Sequence, residues 1–411
     1  MSPQSIVLQA VRKILMPIFM VAVIFILILP VADLPVATSV PAYVWITLAA
    51  ADAALIILLV RYRRSLRLSL AILAGMAAVL ILAVTASQVL TSTPPIAGSN
   101  SIAVLEKVNL GGRDQWITIR GKDANKPVLL YLGIGGPGAG GFPATAMSLK
   151  PLEDHFVVVN WDQPGTGKSY DAAPIPTLTV EQFVSDAHQL TQLMRSRFHQ
   201  DRIYVMGLSW GTILGTKLVQ QYPDLFCAYV GTGQMVNTTE NDRMGYEIAI
   251  RTAAENGDTG TVNKLRSYGP PPYTGDGMAV KYAAYNNILF DLMGSPSLEM
   301  VLLLAPQFAR EYGLLDKVNF ARGLVESFTV VYPQLQDLDF TAQANRLDLP
   351  VYFLVGRQDV NAMASLVDRY YNVLQAPHKE LIWLESGHGA TQEELLDAMV
   401  NHVLAQTKPA Q

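Results

Sequence analysis

Hydrophobic positions follow two regimes along this chain. Three long apolar stretches, residues 14–31, 43–60 and 68–90, fill the front with few interrupting charges. Each approaches the roughly 20 residues that an α-helix needs to span hydrocarbon. From residue 102 onward the pattern changes to short apolar runs alternating with amphipathic helical stretches, which predicts a mostly parallel sheet covered on both faces. The clearest strands are expected at 128–132, 156–160, 203–206, 228–230, 351–355 and 381–384. Two of the intervening helices open with capping-box spacing, Thr179 with Gln182 and Thr391 with Glu394. Residues 235–346 break the rhythm: they carry helical patterns and the breaker Gly269-Pro270-Pro271-Pro272, without a convincing strand pair. The expected organisation is therefore an anchor of three transmembrane helices (1–92), a Thr/Ser/Pro/Gly-rich linker (93–101), an α/β core in two parts (102–234 and 347–411) and a helical cap between them (235–346). No internal repeat is present.

Charge in the loops orients the anchor. The first stretch follows Arg12 and Lys13 as a signal peptide would, but its length and the two stretches behind it favour a retained span. Asp33 lies between the first two stretches, and Arg61, Arg63, Arg64 and Arg67 fill the next connection. Positive charge gathers on one side, which puts the N-terminus in the cytoplasm and everything beyond residue 90 outside. A multi-pass protein of a bacterial plasma membrane, with the lipid bilayer as partner, is the expectation. Asp52 falls inside the second stretch, where an ionisable group is costly. A neutral carboxyl hydrogen-bonded to a neighbouring helix accounts for it, and one acid does not make a transport path.

Composition then removes function classes. Hydrophobic residues make up 50% of the chain and charged residues 16%, a bias that the front segments explain. The net charge of −4, without a sustained basic run outside the anchor, gives no electrostatic basis for nucleic-acid binding. Cys227 is the only cysteine, so intrachain disulfides and thiolate metal centres are excluded; its apolar run suggests a buried strand residue. Neither a metal nor a cofactor is expected.

The candidate chemistry lies at Gly207-Leu208-Ser209-Trp210-Gly211, between the strand 203–206 and a helical pattern at 212–222. In that context the small residues allow the sharp turn that lifts a serine hydroxyl above a sheet, and the helix start supplies N–H groups to a developing oxyanion. A serine nucleophile needs a histidine base and an acid to orient it. Asp359 and His388 lie just beyond the strands 351–355 and 381–384, giving the chain order Ser, Asp, His. Glu385 is a second choice for the acid, while Asp348 precedes its strand and belongs to the wrong end of the sheet. His155, His188, His199, His378 and His402 precede strands or lie in or near helices, where structural or surface roles suffice. Two look-alikes lose on inspection. Gly133-Ile134-Gly135-Gly136-Pro137-Gly138 matches a dinucleotide fingerprint, but Pro137 and the lack of a helix opening argue against it. Gly165-Thr166-Gly167-Lys168-Ser169 resembles the end of a phosphate loop whose first glycine is replaced by Asp162.

Together, Gly135-Gly136-Pro137-Gly138, Asp162-Gln163-Pro164-Gly165-Thr166-Gly167-Lys168-Ser169 and Gly207-Leu208-Ser209-Trp210-Gly211 resemble the proline iminopeptidase (serine aminopeptidase) family of α/β-hydrolases. The resemblance implies Ser209, Asp359 and His388 as the triad, with oxyanion-hole N–H groups from the loop containing Gly136 and from Trp210. Two positions depart from the family pattern: Ile134 replaces the histidine that usually leads the glycine motif, and Pro164 replaces the arginine that usually follows Asp-Gln. Family members that release N-terminal residues hold the substrate ammonium with carboxylates, a role Glu240 and Glu247 could share from one face of a cap helix. The implied activity is release of N-terminal residues from short peptides through an acyl-enzyme. A carboxylic ester hydrolase acting on a small ester is the near alternative, and a non-catalytic membrane receptor or scaffold the distant one.

Overall fold

A computed structural model describes residues 3–133 and 135–407, with side chains from residue 20 onward. The chain divides into two compact units, one of residues 1–92 with 310–315 and one of residues 93–309 with 316–411.

The first unit contains α1 (Pro3–Ala37), α2 (Ala42–Tyr62) and α3 (Leu66–Leu90), each with a segment long and apolar enough to cross a membrane. Apolar side chains lie on the outside as well as the inside: Phe25, Ile26, Ile57, Val60 and Ile81 are all exposed, as expected of helices whose surroundings are not water. The inward stripe of α3 runs through Ser69, Ile72, Met76, Val79, Ala83 and Ser87 at helical spacing. Opposite Gly75, an added Cβ would stand 3.2 Å from Leu55 of α2, a close approach that small residues permit. At one end, the Ser39 hydroxyl donates to the Ser92 carbonyl (2.7 Å) and accepts from the Ser92 N–H (2.8 Å). At the opposite ends of α2 and α3, Arg61, Arg63, Arg64 and Arg67 are exposed. Asp52 is buried, and neither carboxylate oxygen has a hydrogen-bond partner among the described residues. The expectation of a hydrogen bond to a neighbouring helix is therefore corrected: among the described residues none reaches this carboxyl, because the neighbouring positions on α2 are apolar alanines and leucines that offer no donor or acceptor side chain.

The second unit is an eight-stranded sheet with the order β1-β2-β4-β3-β5-β6-β7-β8. Its strands are β1 (Ile102–Leu110), β2 (Arg113–Gly121), β3 (Val128–Tyr131), β4 (Val157–Asp162), β5 (Ile203–Leu208), β6 (Phe226–Thr232), β7 (Val351–Gly356) and β8 (Lys379–Leu384). All six expected strands are present, and β4 to β8 run parallel through β3, as a doubly covered sheet requires. Alternate residues divide between the faces. Val128 and Leu130 pack with α4 (Val180–Phe198), α5 (Trp210–Gln221) and α12 (Ala364–Val373), whereas Leu129 and Tyr131 pack with Leu395 of α13 (Gln392–Asp397) and with Met399 and Val403. The sequence pattern did not reveal the antiparallel hairpin β1–β2. Its signal was Gly111-Gly112: Leu110 pairs with Arg113 across this two-residue loop, and both glycines have positive φ (59° and 77°), the geometry of a tight hairpin turn. Thr391 and Glu394 form the complete capping box, whereas Gln182 bonds Asp186 with its side chain and leaves Thr179 a single cap contact.

Between β6 and β7 lie α6 (Thr238–Glu255), α7 (Thr259–Tyr268), α8 (Met278–Leu292), α9 (Leu298–Phe308), α10 (Leu314–Val331) and the short α11 (Phe340–Gln343). An antiparallel bridge between Asn237 and Asp339 closes the base of this insertion. Helix α10 meets the two glycine-rich loops at backbone distance. A Cβ on Gly323 would lie 2.4 Å from the Gly165 carbonyl oxygen and 2.8 Å from that of Gly138. The Ser327 hydroxyl donates to Gly165 (2.9 Å), and the buried Lys168 ammonium meets Asp316 at 2.8 Å. The glycines of the supposed phosphate loop thus serve close packing. Gly323→Ala is expected to destabilise the second unit by about 1–3 kcal/mol through overpacking. Gly260→Ala, on the exposed side of α7, should be neutral or stabilising by up to about 1 kcal/mol. Thermal unfolding of both variants checks the contrast, and equal melting temperatures would refute the close-packing account.

Candidate active site

Strand β5 ends at Leu208 and α5 begins at Trp210, so Ser209 alone makes the turn, with φ 55° and ψ −116°. This is a strained region for a residue with a Cβ. Its neighbours explain how the turn fits. A Cβ on Gly207 would stand 2.3 Å from the Gly211 carbonyl oxygen, and one on Gly211 would stand 2.8 Å from that of Gly133. The Ser209 N–H donates to the Thr232 carbonyl (3.1 Å), and its carbonyl accepts the Thr212 N–H (2.8 Å). The turn is thereby fixed to the end of β6 on one side and to the first turn of α5 on the other.

Asp359 follows β7 and is buried. Its Oδ1 accepts the N–H groups of Asn361 (2.9 Å) and Ala362 (2.8 Å), which aims the carboxylate. His388 follows β8, and its Nδ1 lies 3.0 Å from Asp359 Oδ2 and 3.2 Å from Oδ1. A carboxylate on Nδ1 favours the tautomer that leaves Nε2 as the acceptor nitrogen. The two loops meet without side chains, since a Cβ on Gly356 would stand 1.9 Å from the Gly387 carbonyl oxygen. The imidazole also covers Gly233, where a Cβ would lie 2.9 Å from His388 Cε1. Gly233 adjoins Thr232, the residue bonded to the Ser209 N–H, so the ring stands at the end of β6, the strand beside the one that carries the turn. Glu385, the second-choice acid, is exposed and paired with Arg357; Asp348 is paired with Arg346. The other histidines are engaged elsewhere or lie at helix ends: His188 stacks on Tyr222, His402 bonds Glu380, His378 approaches Glu380, and His155 and His199 follow short or long helices.

The two residues expected to supply oxyanion N–H groups also lie close together. The Trp210 N–H donates to the Gly135 carbonyl (3.2 Å), and Gly135 has φ 72°. Gly136 faces Phe328 of α10, whose ring would be 3.2 Å from a Cβ there. Ile134 lies outside the described residues. Asp162 and Gln163 organise this corner: Asp162 accepts the N–H groups of Gly141 (3.0 Å) and Lys168 (2.9 Å). The Gln163 amide donates to the Leu132 carbonyl (2.7 Å) and accepts from the Trp210 indole (2.9 Å). Pro164 is buried beside them.

Residues 150–262 match the family described as "Serine aminopeptidase, S33". The probable aminopeptidase YbaC of Bacillus subtilis (strain 168) is 31% identical over 306 residues, covering 73% of this chain and 95% of its own. The chain belongs to the serine aminopeptidase family. It is a serine hydrolase of the α/β-hydrolase fold, as its relatives indicate. Solved structures share that fold at low identity. The proline iminopeptidase-related protein of Thermus thermophilus is 20% identical with a TM-score of 0.52, covering 74% of this chain and 98% of its own. A bacterial membrane phospholipase A is 15% identical with a TM-score of 0.53, covering 85% of this chain and 99% of its own.

The expected cap carboxylates are not gathered at this site. Both oxygens of Glu240 are taken by Arg369 (2.6 and 3.0 Å), and Glu247 is exposed. Glu240 lines a cavity of about 390 Å³ with Thr239, Arg243, Gln336 and Asp337, and no residue holding the Asp359–His388 pair lines it. The acid that α6 buries is Asp242, on the inward stripe with Gly245, Tyr246, Ala249 and Ala253. Tracing that stripe would have separated it from Glu240 and Glu247. Tyr332 donates to Asp242 (2.9 Å), stacks on Phe328 with centroids 4.5 Å apart, and so links the acid to the Gly136 loop. Burial raises the Asp242 carboxyl to about 7, against the opposing hydrogen bonds of Tyr332, Tyr282 and Tyr285.

Between the unfolded value of 3.8 and about 7 the folded hydrolase binds the extra proton, so this group's contribution to stability falls as pH rises through that window. The loss is on the order of 4 kcal/mol. Asp242→Asn removes the titration. Its stability relative to wild type should therefore improve from pH 4 to pH 8, followed by thermal unfolding of the full chain in detergent; a gap independent of pH would contradict the buried, neutral assignment.

Proposed function

We propose that this serine hydrolase is a membrane-anchored aminopeptidase that releases N-terminal residues from short peptides through an acyl-enzyme on Ser209. The observation that carries the reading is the Asp359–His388 hydrogen bond, built on loops that meet at Gly356 and Gly387, with the imidazole against Gly233, next to the Thr232 carbonyl that holds the Ser209 N–H. In this scheme Ser209 Oγ attacks the scissile carbonyl carbon and passes its proton to His388 Nε2. The C–N bond then breaks, the leaving amine takes that proton, and water repeats the sequence to release the acid. Asp359 orients the imidazole and stabilises its charged form. Trp210 and the Gly136 loop donate to the carbonyl oxygen as it becomes an oxyanion. The Trp210 N–H presently holds the Gly135 carbonyl, so rotation of the Gly135–Gly136 peptide frees this donor when substrate enters. Gly135, already at positive φ, allows that rotation at little steric cost.

We assign the ammonium-binding role in the cap to Asp242 in place of Glu240 and Glu247. It is buried, bonded by Tyr332, and joined through Phe328 to the oxyanion loop. Ion pairing requires the acid ionised and the substrate amine protonated. Turnover of free-amino substrates is then highest between about 7, where Asp242 loses its proton, and roughly 8, where an α-amino group loses its own.

Aminoacyl arylamides and N-acylated esters separate these roles. Ser209→Ala should lose fluorophosphonate labelling and turnover of both substrates by a factor of about 10³ or more. Asp242→Asn should lose about tenfold or more in kcat/KM on the arylamide alone, since one charge-assisted contact disappears. Ester turnover without arylamide cleavage in wild type would instead establish an esterase.

The anchor reading adds orientation. We infer that α1 to α3 span the bilayer with the arginine connection inside, following the positive-inside rule, so that the hydrolase unit lies outside the cell membrane. A C-terminal alkaline phosphatase fusion should be active and a C-terminal fluorescent protein of the cytoplasm-only type dark; the reverse pattern would invert the topology.

A further inference from the structure

Helix α9 turns its large apolar side chains outward. Met300, Leu303, Leu304 and Phe308 are 45%, 64%, 43% and 52% exposed, at the spacing of a single helix face. The opposite side presents Ala305 and Pro306 to the interior. In water this reverses the ordinary distribution, in which the large apolar stripe faces the core. Glu299, its one charged residue, lies in the first turn and is bonded by Asn287 (2.9 and 3.0 Å). The outward stripe therefore carries no charge.

The chain beyond α9 identifies what covers this stripe. Residues 310–315 belong to the same compact unit as the three apolar helices. Arg310 donates to the Thr38 carbonyl (2.9 Å), its own carbonyl accepts the Ser39 N–H (2.9 Å), and the Leu314 N–H donates to the Ser87 hydroxyl (3.0 Å). These contacts lie at the C-terminal ends of α1 and α3, away from the arginine connection. Phe308 precedes Arg310 by two residues, so covalent geometry keeps the end of α9 within about 7 Å of that tether.

We infer that α9 is an interfacial helix whose Met300–Leu303–Leu304–Phe308 face is embedded at the headgroup–acyl boundary of the outer leaflet. The inference rests on the anchor reading above, because the tether lies at the outer end of the spans only if they cross the bilayer. With no lysine or arginine on α9, apolar burial drives the embedding, and anionic lipid is not required.

The full chain, reconstituted in phosphatidylcholine vesicles, can be labelled with a polarity-sensitive fluorophore at Leu304→Cys, Leu58→Cys in α2 or Asn263→Cys in α7. Buried Cys227 should stay unlabelled in the native protein, which the wild type verifies. Lipids carrying a doxyl quencher near the headgroup should quench the Leu304 site at least about threefold more than the Asn263 site, as for a shallowly inserted helix. Quencher near the chain terminus should act most strongly on the Leu58 site. Quenching at Leu58 but not at Leu304 would overturn the interfacial helix and leave the anchor intact. A Leu304 signal that is blue-shifted, unquenched and concentration-dependent would overturn it in favour of a second copy of the chain. Absence of quenching at Leu58 would remove the anchor reading and the inference with it.

Discussion

The steric demand of one residue, Ser209, organises the hydrolase unit. A side-chain-bearing residue at positive φ costs on the order of 1–3 kcal/mol, and surrounding structure has to over-determine it. Here the Thr232 carbonyl holds its N–H, Thr212 holds its carbonyl, and Gly207 and Gly211 omit side chains where backbone stands within van der Waals radius. The sheet provides the rigid base, because β5 has β3 on one side and β6 on the other. The same solution recurs at the neighbouring strand ends. Gly356 and Gly387 touch through backbone, which sets the separation of the Asp359 and His388 loops, and Gly233 leaves room for the imidazole. The geometry of this candidate site depends on missing side chains as much as on those of Ser209, Asp359 and His388.

The motif Asp162-Gln163-Pro164-Gly165-Thr166-Gly167-Lys168-Ser169 extends that logic to the cap. Asp162 and Gln163 tie their own loop to Gly141, Leu132 and Trp210, while Gly165 and Lys168 receive Ser327 and Asp316 of α10. A buried Lys168–Asp316 pair adds little net stability against two apolar residues, but loss of one partner would strand a charge. Specific docking of α10 is the result. Because Phe328 of that helix reaches Gly136 and stacks on Tyr332 just beyond it, which bonds Asp242, the position of the cap is coupled to the Gly136 loop.

The front segment distributes its apolar residues differently. Its described helices are apolar on all sides, Thr38, Ser39 and Ser87 bond within the unit, and Arg61, Arg63, Arg64 and Arg67 gather at one end. Small and polar residues such as Ser69, Ala83 and Ser87 lie on its inward stripe, where small side chains let helices approach closely. Asp52 is the exception, a buried acid on α2 whose carboxyl oxygens have no hydrogen-bond partner among the described residues.

Local pattern determined a good deal of this protein. Helix length and apolarity located the three front helices; the six parallel-run strands were legible as short apolar runs; and Gly207-Leu208-Ser209-Trp210-Gly211, followed by Asp359 and His388 beyond later strands, gave the order of the candidate site. Each of these signals is local, governed by helix and strand periods and by turn sterics. The hairpin β1–β2 was missed because an edge pair with one solvated face mixes polar with apolar residues, although Gly111-Gly112 marked its turn. Tertiary contact decided the rest. Only the fold shows Arg369, 129 positions away, occupying Glu240, or Asp242 closed over by Tyr282 and Tyr285 of α8 and by Tyr332 just after α10. Only the fold shows that the phosphate-loop look-alike packs a helix and that α9 carries its apolar stripe outward. Such pairings are set by close approach between segments distant in the chain, and no periodicity within either segment encodes them.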